Sequence, residues 1–312
     1  MSKFDDKTNK KFNMLTAKKY LGGSKWLCVC ECGRECIVAS AFLNEIEGRN
    51  KIKSCGCLRE KNVPEKEEFF EVINSESKSY ILGFIAADGC VQPELRRIKI
   101  DLKDEDEDVL IKIQKEIGHK NNLSHYSQEI DIGNKHYTLH TSRLIISSQK
   151  MVEDLEKFGI VKNKSNILNI KIDSIPEEFF FDFLRGIIDG DGCISFTVGG
   201  TCNLTITTST IMAEILNEKI KQIYGESKFY LTHRHKEVLE NATLQATNKH
   251  FIYQILERTY KEANIYLNRK YSKYLEYKQY YETHFKNLNS NDYPAREYIY
   301  GEIPYLEVPH IP

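Results

Sequence analysis

The sequence predicts an α+β protein made of two copies of an α-β-β-α-β-β-α unit behind a small cysteine-rich module. Three observations carry this. An apolar run ending in Asp-Gly-Cys occurs twice, as Tyr80-Ile-Leu-Gly-Phe-Ile-Ala-Ala-Asp88-Gly89-Cys90 and Phe183-Leu-Arg-Gly-Ile-Ile-Asp-Gly-Asp191-Gly192-Cys193, with the final aspartates 103 residues apart. The hydrophobic period then switches in the same order after each run, from strand-like alternation to a helical stripe. Six of the nine cysteines fall between Cys28 and Cys57.

Each element follows from its local pattern. In the first copy, Arg97-Ile-Lys-Ile-Asp-Leu-Lys103 alternates with period two, as a half-buried strand does; Asn203-Leu-Thr-Ile-Thr207 is its counterpart. Helical stretches follow from Asp106 to Ile117, with Val109, Ile113 and Ile117 on one stripe, and from Ile211 to Tyr224. Two more strand-like pieces and a helix complete each copy. The expected organisation is residues 1–62 as the cysteine module, 63–170 as the first repeat, 171–285 as the second, and 286–312, with four prolines and no period, as an extended tail.

Composition bounds the function. No run of 18 apolar residues is present, which argues against a membrane span. The opening MSKFDDKTNKK has no apolar core of the kind a secretory signal carries, so the expected compartment is cytoplasmic (a phage or bacterial nucleoid) or organellar rather than secreted. In such a reducing compartment the cysteines read as metal ligands or buried small side chains, not disulfides. Net charge is -1, without the basic excess expected of a nucleic-acid binder. By segment the balance differs: residues 1–62 hold 13 Lys/Arg against 7 Asp/Glu, a net +6, and the remainder carries -7.

The repeated run reads as a buried helix, apolar nearly all round. Small residues four apart, Gly83 with Ala87 and Gly186 with Gly190, allow two backbones to approach closely, so each helix is the expected partner of the other. Gly89 and Gly192 are expected in the left-handed conformation that ends a helix. Asp88 and Asp191 then lie at two adjacent helix C-termini, where the dipole disfavours an anion by roughly 0.3–1 kcal/mol. Two neighbouring carboxylates raise that cost, and a hard divalent cation with oxygen ligands is the expected remedy.

Ile81-Leu-Gly-Phe-Ile-Ala-Ala-Asp-Gly89 and Leu184-Arg-Gly-Ile-Ile-Asp-Gly-Asp-Gly192 resemble the paired motifs of monomeric LAGLIDADG homing endonucleases. The second copy is close to the consensus; the first carries Ala86 where an earlier acidic residue is common. The resemblance spans about residues 75–285. It is strengthened by Leu155-Glu-Lys-Phe-Gly-Ile160 with Lys162-Asn-Lys-Ser165, and by Ala263-Asn-Ile-Tyr-Leu-Asn-Arg-Lys270, which are similar to the segments closing each repeat. It implies a saddle of two four-stranded antiparallel sheets over double-stranded DNA and Mg²⁺-dependent phosphodiester hydrolysis at a long site. Asp88 and Asp191 would be the metal ligands, with the backbone carbonyls of Gly89 and Gly192 nearby and Lys164 and Lys270 assisting. A monomer is expected.

The charged set Arg97, Lys99, Asp101 and Lys103, with Arg96 at its edge, faces away from Ile98, Ile100 and Leu102; Asn203, Thr205, Thr207 and Ser209 form the neutral equivalent. Such side chains pair with base edges and phosphates. Gln92, Arg143, Ser195, Thr197, Lys228 and Gln245 complete the expected DNA-contacting set.

Cys28-x-Cys30-x-Cys32-Gly33, then Cys36, then Ser54-Cys55-Gly56-Cys57-Leu58 suits a tetrahedral zinc site stapling a small module. With Trp26, this stretch resembles the zinc-binding, DNA-binding modules attached to phage and mobile-element nucleases. Cys30, Cys32, Cys55 and Cys57 are the expected ligands of a structural Zn²⁺, with Cys28 or Cys36 as alternates, and a strand and short helix near residues 39–48 between the pairs. Cys90, Cys193 and Cys202 are expected to be packing residues. Two other functions fit the same residues: a DNA-binding regulator that does not cleave, and an intron maturase that binds its own intron RNA.

Overall fold

Ser75 opens the first motif helix by accepting a hydrogen bond from the backbone N–H of Lys78, and helix α1 then runs Glu76–Asp88. The computed structural model describes residues 5–43, 52–57, 63–133, 135–197, 200–233 and 240–285. After α1 come strands β5 (Gly89–Gln92) and β6 (Arg97–Lys103), helix α2 (Glu107–Ile117), strands β7 (Ser124–Ile132) and β8 (Lys135–Ser147), and helix α3 (Gln149–Lys157). The second repeat has the same order: α4 (Phe180–Asp191), β9 (Gly192–Phe196), β10 (Cys202–Ser209), α5 (Thr210–Tyr224), β11 (Tyr230–Thr232), β12 (Asn241–Ala246) and α6 (Lys249–Tyr260).

Each repeat folds its four strands into one antiparallel sheet with the same topology, β5-β6-β8-β7 in the first and β9-β10-β12-β11 in the second. Alternation assigns the faces. Ile98, Ile100, Leu144 and Ile146 point inward in the first sheet, and Leu204, Ile206, Ala242 and Leu244 in the second, all buried. Helix caps repeat the pattern: Ser148 accepts from Met151, Ser209 from Met212 and Asn248 from Phe251. One helix lies outside the expected unit. Helix α7, Asn268–His284, follows the second repeat and buries Tyr274, Tyr277 and Tyr281 on one side. Its tyrosines recur three or four apart, but with so little aliphatic content that its period is weak in the sequence.

Helices α1 and α4 pack against each other through the small residues. A Cβ on Gly186 would fall 2.2 Å from the Tyr80 carbonyl oxygen and 2.5 Å from the Phe84 nitrogen; one on Gly83 would fall 2.2 Å from the Phe183 oxygen. Near the C-terminal end, Gly190 faces Ala87, with a virtual Cβ 2.3 Å from the alanine methyl. The backbones touch along the seam, and a single buried core runs from the first sheet through both helices to the second.

The chain divides into two compact units. One runs to Glu65 and includes His119–Asn121; the other holds Lys66–Gly118 and the described chain from Asn122 onward. In the first unit, β1 (Lys11–Phe12), β2 (Leu15–Gly22), β3 (Lys25–Cys30) and β4 (Glu35–Ala39) form an antiparallel meander. Its core gathers Leu15, Ala17, Trp26, Val38 and Leu43 beside Cys28, Cys30 and Cys57. Of the helix expected near residues 39–48, one 3₁₀ turn, Ser40–Phe42, lies within the described residues. The rest of that stretch and the expected tail over 286–312 lie outside them.

The seam gives a direct test. Gly186→Ala must push the helices apart, and overpacking of this kind costs about 1–3 kcal/mol or more. Urea unfolding should show at least that loss, whereas Ala87→Gly, on the same seam, should cost only about 1 kcal/mol.

Candidate active site and cysteine cluster

Asp88 and Asp191 are the last residues of α1 and α4. The seam carries them to the same place: the virtual Cβ of Gly190 lies 3.4 Å from the Asp88 carboxyl carbon, and the two carboxylates repel each other. Asp88 keeps an open, solvent-facing side and Asp191 is half-buried. Protein nevertheless crowds both closely enough that desolvation is the largest influence on each. It raises the Asp88 carboxyl above its ordinary range, against the pull of Lys270 and Lys164. It raises Asp191 to about 6, aided by repulsion from Asp88.

The two glycines after the acids differ from expectation. Gly89 (φ -74, ψ 144) and Gly192 (φ -86, ψ 163) are extended, not left-handed. The chain passes straight from helix into β5 and β9, which need extended backbone at once. Glycine is required there for space: a Cβ would fall 2.7 Å from the Ile85 carbonyl oxygen in one case and 2.6 Å from that of Ile188 in the other.

Lys164 and Lys270 converge on the acids from outside the motif helices, and both are buried, at 7% and 4% exposure. Lys164 Nζ donates to the Ala87 carbonyl at 2.8 Å. Lys270 Nζ donates to the carbonyls of Ile188 (2.5 Å), Asp189 (2.6 Å) and Gly192 (2.7 Å). Each lysine thus satisfies carbonyls at the C-terminal end of a motif helix and sets a positive charge against its negative pole. Burial lowers both pKa values, that of Lys270 to about 8 with opposition from Asp189. Three carbonyl acceptors need three N–H groups, so the bonding geometry holds Lys270 in its charged form. The Gly192 carbonyl, considered above as a metal-facing oxygen, already accepts from this ammonium.

Two further charged residues of α4, Asp189 and Arg185, lie behind the acids in the core. Asp189 is fully buried and accepts from Tyr80 (2.8 Å), Tyr260 (2.5 Å) and the Leu267 backbone N–H (2.7 Å). It ties α4 to the other motif helix, to α6 and to the turn entering α7. Arg185, 1% exposed, donates to Glu76, Asp182 and the carbonyls of Thr259 and Ile265. Their i,i+4 spacing in an otherwise apolar run was the available signal, since buried charges need partners.

The expected DNA-contacting residues fall on two faces. Gln92, Arg97, Lys99, Asp101, Lys103 and Arg143 share the outward side of the first sheet. Arg143 Nε and Nη2 bond the two Asp101 oxygens at 2.7 and 2.8 Å, and its guanidinium lies 4.5 Å from the Tyr126 ring. Lys99 is 3.1 Å from Asp101, Lys103 is 3.4 Å from Glu105, and Arg97 donates to Gln92. Arg96 is exposed in a left-handed turn (φ 51) ahead of β6. Ser195, Asn203, Thr205, Thr207 and Gln245 share the outward side of the second sheet, with Thr197 just past β9. Ser209, expected with them, is buried instead: it ends β10, caps α5 and donates to the Leu168 carbonyl. Lys228 is exposed, precedes β11 and pairs with Glu226.

In the first unit, Cys30, Cys32, Cys55 and Cys57 bring their sulfurs within 4.8 Å of one another. Cys30 and Cys57 are 3.7 Å apart, and Cys32 and Cys55 are 3.4 Å apart. Tetrahedral Zn–S bonds of about 2.3 Å place sulfurs about 3.8 Å apart, so the cluster fits that ion. Backbone donation from Arg34 lowers the Cys32 thiol to about 6. Cys28 and Cys36 face each other across β3 and β4, outside the cluster. Cys202 is buried as expected, but Cys90 and Cys193 are exposed: each is the second residue of its strand and points to the outward face.

The fold and site therefore define a class: a two-repeat α+β chain with an acid–lysine pair from each half at one helical seam. No family model and no curated protein matches the sequence. Among solved structures, the chain is similar to the N-terminal LAGLIDADG domain of DUF199/WhiA, at 17% identity and TM-score 0.39, covering 62% of this chain and 87% of that one. It is similar to the LAGLIDADG homing endonuclease I-GzeII in complex with its DNA target, at 11% identity and TM-score 0.45, covering 68% and 93%. It is likewise similar to the homing endonuclease I-WcaI bound to its DNA recognition sequence, at 12% identity and TM-score 0.48, covering 67% and 91%.

The raised Asp191 pKa has a thermodynamic consequence. A carboxyl that folds with a pKa near 6 against 3.8 unfolded takes up protons on folding between those values. Its penalty is absent below pH 4, grows as pH rises to 6, and is constant above. In magnesium-free buffer at pH 7.5, Asp191→Asn should therefore raise Tm by about 2–4 °C, for a relief of about 1 kcal/mol after solvent screening. The gain should vanish near pH 4 in a thermal melt series.

Proposed function

We propose that this chain is a site-specific, metal-dependent DNA endonuclease of the LAGLIDADG homing type, acting as a monomer. The observation that carries the proposal is the convergence of Asp88, Asp191, Lys164 and Lys270 at the ends of two helices whose motifs resemble that family. Two partly desolvated acids at negative helix poles form an unfavourable arrangement that catalysis can explain and stability cannot. Hard oxygen donors of this kind suit Mg²⁺, and Asp88 and Asp191 are the residues that would hold it. Bound there, the ion would supply Lewis-acid stabilisation at the scissile phosphate and lower the pKa of a water nucleophile.

The protein groups have separable roles. Asp88 and Asp191 give each half of the seam one carboxylate, so each DNA strand meets one acid and one lysine. Lys164 and Lys270 hold their ammonium groups at fixed carbonyls, where they neutralise the acids and add positive charge near a phosphate. The outward sheet faces bind the duplex, with base edges read by side chains of alternate residues. The N-terminal unit, with net charge +6 over residues 1–62, adds phosphate contacts and is stapled by Zn²⁺ on Cys30, Cys32, Cys55 and Cys57.

Incubation with a randomised plasmid library and Mg²⁺, followed by sequencing of cut ends, should recover one long site. Asp88→Asn and Asp191→Asn should each lower cleavage at least 100-fold, on the order seen when one catalytic group is removed, while gel-shift affinity stays within a few-fold. Cleavage surviving in both variants would refute the assignment of the acids; binding without cleavage by the wild type would favour the regulator reading. Elemental analysis should find one zinc per chain, lost in Cys57→Ser and kept in Cys28→Ala and Cys36→Ser.

A further inference from the structure

The two sheets present the same topology and opposite chemistry. Strands β9–β12 contain no Asp, Glu, Lys or Arg. Apart from Cys193 and Tyr230, their outward face is made of hydroxyls and amides, among them Ser195, Asn203, Thr205, Thr207, Thr243 and Gln245. Gln245 stands directly opposite Thr205, and Thr243 opposite Thr207 at 3.0 Å between hydroxyls. The corresponding face of the first sheet carries Arg97, Lys99, Lys103 and Arg143 with one acid, Asp101. That acid is the buttress of the face. It fixes the Arg143 guanidinium by two bonds, receives Tyr126 Oη at 3.2 Å, and lies beside Lys99. An arginine held in this way loses little side-chain freedom on binding and presents its remaining N–H groups in one orientation.

Base chemistry discriminates between such faces. Arginine and lysine match the O6 and N7 acceptors of guanine; asparagine and glutamine match N6 and N7 of adenine; a threonine methyl packs on the methyl of thymine. Cationic contacts also release counterions and make binding salt-dependent, which hydroxyls and amides do not. Resting on the DNA-binding reading above, we infer that the recognition site is compositionally polar. The half lying on the first repeat contains guanine and is read by the buttressed Arg143 and its basic neighbours; the half lying on the second repeat is A·T-rich and is read by neutral side chains. Arg143 is thereby a specificity-determining residue, and Asp101 and Tyr126 are its positioning residues.

The test is selection by the full-length chain, in buffer without added magnesium, from a duplex library randomised over a long window. The expected consensus has one guanine-containing half and one A·T-rich half. Arg143→Gln should relax a guanine position in the first half by about tenfold or more and leave the other half unchanged. Lys99 remains beside Asp101 in that variant, so the carboxylate keeps a partner; circular dichroism confirms the fold. Gln245→Ala should relax a position only in the A·T-rich half. In titrations against salt, Lys103→Gln should lower the logarithmic slope by about 1, and Thr205→Val should leave it unaltered. Two halves of like composition, or both variants changing the same half, overturn the inference while leaving DNA recognition intact. Enrichment of no sequence at all removes the DNA-binding reading together with it.

Discussion

Everything in the larger unit depends on how closely the α1 and α4 backbones approach. Gly83 and Gly186 leave no room for a methyl group on either side, and Ala87 packs on Gly190 one turn later. This contact sets the relation between the two repeats, because each helix belongs to one sheet and the shared core is continuous through both. It also fixes the site, since the acids are the terminal residues of the two helices. A seam made from larger residues would hold the helices further apart and separate the carboxylates. The same sterics govern the exit from each helix, where Gly89 and Gly192 clear the carbonyls of Ile85 and Ile188.

The acids sit where electrostatics disfavours them, and the surrounding protein offsets the cost from the opposite sign. Lys164 reaches the end of α1 from the 3₁₀ turn Lys164–Asn166 and Lys270 reaches the end of α4 from the first turn of α7, and their ammonium groups bond the carbonyls that create the negative poles. Asp189 provides a second level of order behind Lys270. Held by two tyrosines and a backbone N–H, it links both motif helices to the segment that delivers the lysine. The first repeat has Ala86 in the matching position, so its lysine lacks this support. The two halves of the site are therefore related by topology but differ in hydrogen bonding.

Cross-repeat polar contacts stabilise this arrangement at its edges. Arg185 joins α4 to Glu76 at the start of α1, and Glu76 also accepts from the Asn264 backbone and side chain. Arg269, the neighbour of Lys270, bonds the buried carboxylate of Asp106 ahead of α2. Such contacts join residues more than 100 positions apart in sequence, and they place the closing segment of the second repeat against the first.

What the sequence determined by itself was periodicity and local chemistry. The duplicated Asp-Gly-Cys run, the small residues four apart, the alternating strands and the cysteine spacing are all local, so the repeats, the helix pairing, the outward sheet faces and the four-sulfur cluster were legible in advance. Tertiary structure decided whatever depends on meetings across long separations. It buried Lys164 and Lys270, which look like surface lysines in isolation, because their carbonyl partners lie about 80 residues away. It placed Cys90 and Cys193 in the open, because the strand begins immediately after the helix and turns them outward. It left Gly89 and Gly192 extended for the same reason. And it gave Asp189 and Arg185 structural roles, since only the assembled core supplies enough partners to hold a buried charge.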